Sequence, residues 1–235
     1  MIPKKPESIA GIPLEGAMER LLKKLENQPP QLEPIVNQSN IKEDNYIFVP
    51  SMRIYIAKQR THLGLNWYDT HKQLHSEGLV MPTIPQFLAF IHYLKTDYQK
   101  LGTKEKQEAD SILDDILTVR DPWRAEWLDA KFENKGTDKK PNWHIHYTHR
   151  TDHQGNLVPQ NSELLEDCLM TDKTPGIDLD KLLINHTKHG LPKPSIKSGS
   201  LYYWFPRNDS VARFFAVSYW ANLNCDWNSD YSDDS

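Results

Sequence analysis

Two cysteines in 235 residues, Cys168 and Cys225, are too few for a disulfide scaffold and do not form a CxxC metal motif. No run of about 18 apolar residues occurs, so no transmembrane helix and no membrane insertion are expected. The N-terminus, MIPKKPESIAG, has lysines but no apolar stretch behind them. It does not read as a secretory signal, and synthesis in the cytoplasm with reduced thiols is the default expectation. Net charge is −4, with no large block of either sign, which argues against a nucleic-acid partner. A nucleophile elbow, a glycine-rich phosphate loop and a paired-carboxylate motif are all missing. We therefore expect no catalytic residue, no cofactor and no resident metal.

What is present suffices for a globular core. Hydrophobic residues make up 38% of the chain and charged residues 26%. Residues 1–44 are rich in Pro, Gln and Asn, with one leucine-patterned stretch from Met18 to Leu25. This reads as an N-terminal arm carrying a short helix, followed by a domain over 45–235. Tyr46–Val49 and Met52–Ala57 are β-branched and aromatic, and read as strand bent at Pro50. Asn66 can cap a helix from Trp67 to Glu77, with Trp67, His71 and Leu74 as its inward stripe. Thr83 and Gln86 form a capping box for a second helix that buries Phe87, Leu88, Ile91, Leu94 and Tyr98. A third helix runs from Lys104 to Leu117. Beyond Arg120 the pattern turns to strands, at about 123–132 and 142–150. Residues 151–198 look like loops with a helical piece at 179–185. This order predicts an α+β fold, helices packed on a mostly antiparallel sheet, with a loop-rich C-terminal half.

Histidines offer two metal-like pairs. His144 and His146 share one face of a predicted strand, and a facing carboxylate could complete a zinc site. The plainer reading is a polar strand face, with Trp143, Ile145 and Tyr147 turned inward and His149 on the other side or past the strand end. His71 and His75 stand at i and i+4 on a helix. Without a Glu beside His71 the HExxH arrangement fails, and a core histidine is the simpler reading.

The most informative stretch is the last, Ser218 to Ser235: SYWANLNCDWNSDYSDDS. It follows the strand pattern Arg213–Val217. Its polarity argues against a core element. Two readings stay open: a disordered acidic tail ending in Asp230, Asp233 and Asp234, or an adaptable binding surface of rigid rings and short polar groups.

The same stretch resembles the variable region of target proteins diversified by retroelements, which carry a C-type lectin fold. In that family a reverse transcriptase mutates adenines, and Asn codons of the AAY type are hot spots. Tyr219, Asn222, Asn224, Cys225, Asp226, Asn228, Asp230, Tyr231 and Asp233 are reachable from such codons; Trp220 and Trp227 are not. The run from Gly199 to Arg207, then Ser210 to Phe215, is similar to the constant strands leading into that region. Met81-Pro82-Thr83-Ile84-Pro85-Gln86-Phe87 looks like the start of the family's second helix, particularly in archaeal-type members. Family members close the sheet with a short strand containing Gly-Val-Arg. This chain reaches Ser235 without that motif, so either the chain is shortened or the closure differs.

The resemblance implies a C-type lectin-like domain with a variable region at about 213–235. Tyr219, Asn222, Asn224, Asp226, Asn228, Asp230, Tyr231 and Asp233 would be exposed contacts on one face. Trp220 and Trp227 would be buried scaffold. The partner would be an unknown ligand, a protein or cell-surface target. Calcium-dependent sugar binding is disfavoured, because neither Glu-Pro-Asn nor Gln-Pro-Asp occurs. Formylglycine-generating enzymes share the fold and use paired C-terminal cysteines; only Cys225 stands in that region. The alternative function is a metal-dependent or cysteine redox enzyme using His144/His146 or Cys225.

Overall fold

A computed structural model of the chain describes residues 8–9, 12–13, 43–119, 125–217 and 220–230. The leucine-patterned helix expected at Met18–Leu25 lies outside these residues, as do Trp123, Tyr219, Tyr231 and Asp233. The chain divides into two units, Met1–Ile35 and Val36–Ser235. The first holds a two-residue ladder, β1 (Ser8–Ile9) with β2 (Ile12–Pro13).

The second unit begins with an antiparallel pair, β3 (Tyr46–Val49) and β4 (Ile54–Ala57). Three helices follow. Helix α1 (Trp67–Ser76) starts where the Asn66 side chain accepts a hydrogen bond from the Asp69 amide. Helix α2 (Ile84–Thr96) starts at the capping box, where the Thr83 amide donates to the Gln86 carbonyl at 2.9 Å. Helix α3 (Thr103–Leu117) buries Ala109, Ile112 and Ile116. No described helix is long and apolar enough to cross a membrane.

The remaining strands are β5 (Ala125–Asn134), β6 (Trp143–Thr151), β7 (Leu157–Leu164), β8 (Lys173–Ile177), β9 (Leu201–Trp204), β10 (Ser210–Val217) and β11 (Trp220–Trp227). A short helix α4 (Leu179–Ile184) precedes β9. They form one seven-stranded sheet in the order β7-β6-β5-β10-β11-β9-β8. Every neighbouring pair is antiparallel except β11 with β9. The fold is therefore α+β with a mixed, mostly antiparallel sheet.

Two strands fall in the stretch expected to be loop, and both are edges of the sheet. β7 carries Pro159, and β8 carries Pro175 and Gly176. An edge strand pairs on one side only and tolerates proline, so a proline-containing polar segment can be strand without looking like one.

Alternate residues of the central strands face two apolar clusters. Leu128, Ala212, Phe214, Leu223 and Cys225 join the main core, with Phe87, Ile91 and Ile112 of the helices. Trp127 and Val211 join Trp67, Leu74 and Met81 in a second cluster beneath α1. Two indoles tie that cluster down: Trp67 Nε1 donates to the Leu128 carbonyl at 3.0 Å, and Trp127 Nε1 to the Leu65 carbonyl at 3.1 Å.

The C-terminal stretch corrects an expectation. Although its composition argued against a core element, β11 is an interior strand with a neighbour on each side. Leu223 and Cys225 are fully buried. Two apolar positions on one face suffice when flanking strands satisfy the backbone and the polar side chains find hydrogen bonds.

Candidate functional site

The face of β11 opposite Leu223 and Cys225 carries Asn222 and Asn224. In register they neighbour Phe215 and Arg213 on β10, and Tyr202 and Trp204 on β9. The structure thus brings the Asn positions together among aromatic rings and one arginine. It also buries them: Asn222 and Asn224 are each 5% exposed. Exposure had been expected for both. Their amides are used internally. Asn222 Nδ2 donates to the Trp220 carbonyl at 2.8 Å, and its Oδ1 accepts from Trp204 Nε1 at 3.4 Å. Asn224 Oδ1 accepts from the Asp226 amide at 2.9 Å, where the β10–β11 register slips.

Asp226 is half-buried, and burial raises its carboxyl pKa; the Arg207 guanidinium opposes that shift. Arg207 itself pairs with Asp172 at 3.0 Å and lies over the Phe205 ring. Asn228 and Asp230 are exposed in the turn after β11, where Asn228 Oδ1 accepts from the Asp230 amide.

The two scaffold tryptophans differ. Trp227 is half-buried, packed edge-on against Phe215 and 4.8 Å from the Arg213 guanidinium. Trp220, expected to be buried, is 41% exposed and stacked on Tyr202 at 5.5 Å. It starts β11 at the sheet margin, so a neighbouring ring covers only one face of it. Cys225 is wholly enclosed, and burial pushes its thiol well above the ordinary range.

Among the described residues, His144 and His146 do not join a group of three metal-ligand side chains. His146 Nε2 instead meets Glu133 at 3.0 Å on the neighbouring strand. Among the described residues, the histidines gather elsewhere. His71 from α1, Asp129 from β5 and His149 from β6 place ligand-type atoms within 4.8 Å of one another, all buried. His149 donates from its backbone amide to Asp129 Oδ2 at 3.0 Å, and its Nδ1 lies 2.5 Å from Oδ1. His71 Nε2 is 3.6 Å from the same oxygen, outside hydrogen-bond reach. Burial drives the His71 pKa down to about 3 despite Asp129, so its imidazole is neutral. The Trp67 ring abuts both imidazoles, at 4.4 and 4.9 Å.

Local distortions create this cluster. Val211 pairs with Lys131 but Ala212 with Leu128, so Asp129 and Ala130 form a bulge in β5. On β6, Ile145 and Tyr147 pack against the main core, whereas His149 meets Trp67 and His71. Alternation alone would put all three on one face. Thr148, at φ 55°, breaks it. Only the i, i+4 spacing of His71 and His75 hinted at the cluster from sequence; nothing in the pattern pointed to Asp129 or His149.

No family model matches this chain, and neither a curated protein nor a solved structure matches it.

Proposed function

We propose that this chain is a non-enzymatic ligand-binding protein on a C-type lectin-like scaffold, with a C-terminal surface diversified by a retroelement. The observation that carries the reading is the division of labour within β11. Its adenine-reachable Asn222 and Asn224 lie on one face among Arg213, Phe215 and Trp204, while Leu223 and Cys225 anchor the other. A strand held from both sides keeps its backbone in place, so the exposed positions that follow it, Asn228 and Asp230, can change without moving it.

The contact surface is narrower than the composition implied. Asp226, Asn228 and Asp230 supply the accessible polar groups, Trp220 with Tyr202 supplies an exposed aromatic platform, and Asn222 and Asn224 form a polar floor. Aromatic and short polar groups in combination suit a protein or cell-surface partner. His71, Asp129, His149 and Cys225 are all buried, unlike the accessible groups that follow β11.

The test is genomic and then biophysical. A near-copy of the codons for residues 213–235, differing only at adenines and lying beside a reverse-transcriptase gene, is the expected finding. Its absence from the locus overturns the diversification. Independently, replacing Asp226, Asn228 and Asp230 together with Ser is expected to leave cooperative unfolding in place. Collapse of the transition would mean that these residues build the fold rather than display on it.

A further inference from the structure

We propose that His71, Asp129 and His149 hold a divalent transition-metal ion, zinc in the first instance, in a closed structural site that ties α1 to β5 and β6. The proposal uses residues of α1, β5 and β6 and none of β11, and does not depend on the display reading.

His71 carries the argument. It is fully enclosed, yet neither ring nitrogen has a hydrogen-bond partner among the described residues. A buried polar group is ordinarily satisfied, and one left bare needs an explanation such as an ion. His71 Nε2 faces Asp129 Oδ1 at 3.6 Å. Zinc bonds of about 2.0–2.2 Å in a tetrahedron set ligand atoms about 3.3–3.5 Å apart, close to that spacing. The Asp129 Oδ1 to His149 Nδ1 separation of 2.5 Å is instead that of a direct hydrogen bond. To take the ion at Nδ1 the neutral ring adopts the tautomer with its proton on Nε2, and the two atoms part by roughly 1 Å.

The backbone supports the same conclusion independently. Each strand is distorted where it supplies its ligand: β5 bulges at Asp129, and β6 takes a left-handed residue at Thr148 just before His149. A β-branched residue avoids that conformation unless its surroundings hold it there.

Among the described residues, His75 is a candidate for a fourth position. His75 stands one turn along α1, its ring 5.6 Å from that of His71. Its Nδ1 bonds Thr151 Oγ1 at 2.8 Å, and its Nε2 has no partner among the described residues. A histidine whose second nitrogen is anchored this way has the orientation typical of a metal ligand. The donor set of imidazoles and one carboxylate suits zinc or cobalt over calcium or magnesium.

The test uses the whole chain, purified and assayed for retained zinc, then stripped with chelator and titrated with zinc or cobalt alone. We expect about one equivalent of zinc retained per chain and a rise in melting temperature of roughly 5–10 °C at saturating metal. The cobalt form should show visible absorption of tetrahedral intensity. His71→Gln, Asp129→Asn and His149→Gln should each lose at least about tenfold in zinc affinity, the scale seen when a metal site is perturbed. His146→Gln should bind as the parent does. No retained zinc, no thermal shift and a colourless cobalt form together overturn the site. Loss of binding in His146→Gln with retention in His71→Gln overturns this choice of residues. If the cluster variants do not fold, the parent's cobalt spectrum and zinc stoichiometry decide.

Discussion

Arg213 on β10 sets its guanidinium 4.8 Å from the centre of the Trp227 ring on β11. Trp127 and Phe215 stand at 4.9 and 5.3 Å from the same group, so the fully buried cation is boxed by three aromatic rings. The arginine stem and the rings cement β5, β10 and β11 on the face under discussion.

This geometry predicts a measurable coupling. Desolvated cation–π pairs contribute about 2 kcal/mol. A double-mutant cycle with Arg213→Met and Trp227→Leu, read by urea unfolding, should give an interaction of about 1–2 kcal/mol. Additive single effects would show that Trp227 merely fills space.

The asparagines of β11 should behave unlike surface residues. Asn222→Ala strands the Trp204 indole and the Trp220 carbonyl, and a buried polar group without a partner costs about 1–3 kcal/mol. Asp230→Ser, in the exposed turn, should fall within about 0.5 kcal/mol of the parent. Chemical denaturation of the two variants side by side checks this. Equal, small losses would mean that Asn222 is free to vary.

The tryptophans should separate in the same way. Trp67 is wholly buried and bonded to the Leu128 carbonyl, so Trp67→Ala should cost about 3–5 kcal/mol. Trp220 only stacks on Tyr202, and an aromatic pair of that kind adds about 0.5–1.5 kcal/mol beyond the area it covers. Trp220→Ala should therefore shift the melting temperature far less than Trp67→Ala.

His71 predicts a pH dependence in chelator-treated protein. Its folded pKa is lowered from 6.5 to about 3, so between those values the unfolded chain binds the extra proton. Stability is fully present above about pH 6.5 and falls as pH drops, by up to about 1.4 kcal/mol per pH unit. Burial lowers the pKa values of His75, His146 and His189 as well, which adds to the same slope. Denaturant midpoints at pH 7, 6 and 5 should decline in the parent. The decline should be shallower in His71→Phe, which keeps a ring against Trp67. Parallel declines would show that His71 does not titrate on unfolding.

Much of the first half of the main unit was legible without coordinates. The Asn66 cap, the Thr83–Gln86 box and the apolar stripes of α1 to α3 are local signals, written within a few turns of helix. The β3–β4 strands and the turn after Asn134 were readable for the same reason. The edge strands β7 and β8 were not, since prolines and polar residues are tolerated where only one side of a strand is paired. β11 was misjudged because composition does not say how many neighbours a strand will have.

The sequence by itself determined the helices and the α+β class. Those depend on neighbours along the chain and on the order in which the patterns follow one another. It also placed the Asn and Asp positions of the C-terminal stretch. Tertiary structure alone decided which of those positions see solvent, because β11 lies between β10 and β9 and its Asn222 and Asn224 pack beside Arg213, Phe215 and Trp204 of those strands. It also decided that His71, Asp129 and His149 meet. Their convergence needs a bulge in one strand and a left-handed threonine in another, and both depend on packing against α1 rather than on any local pattern.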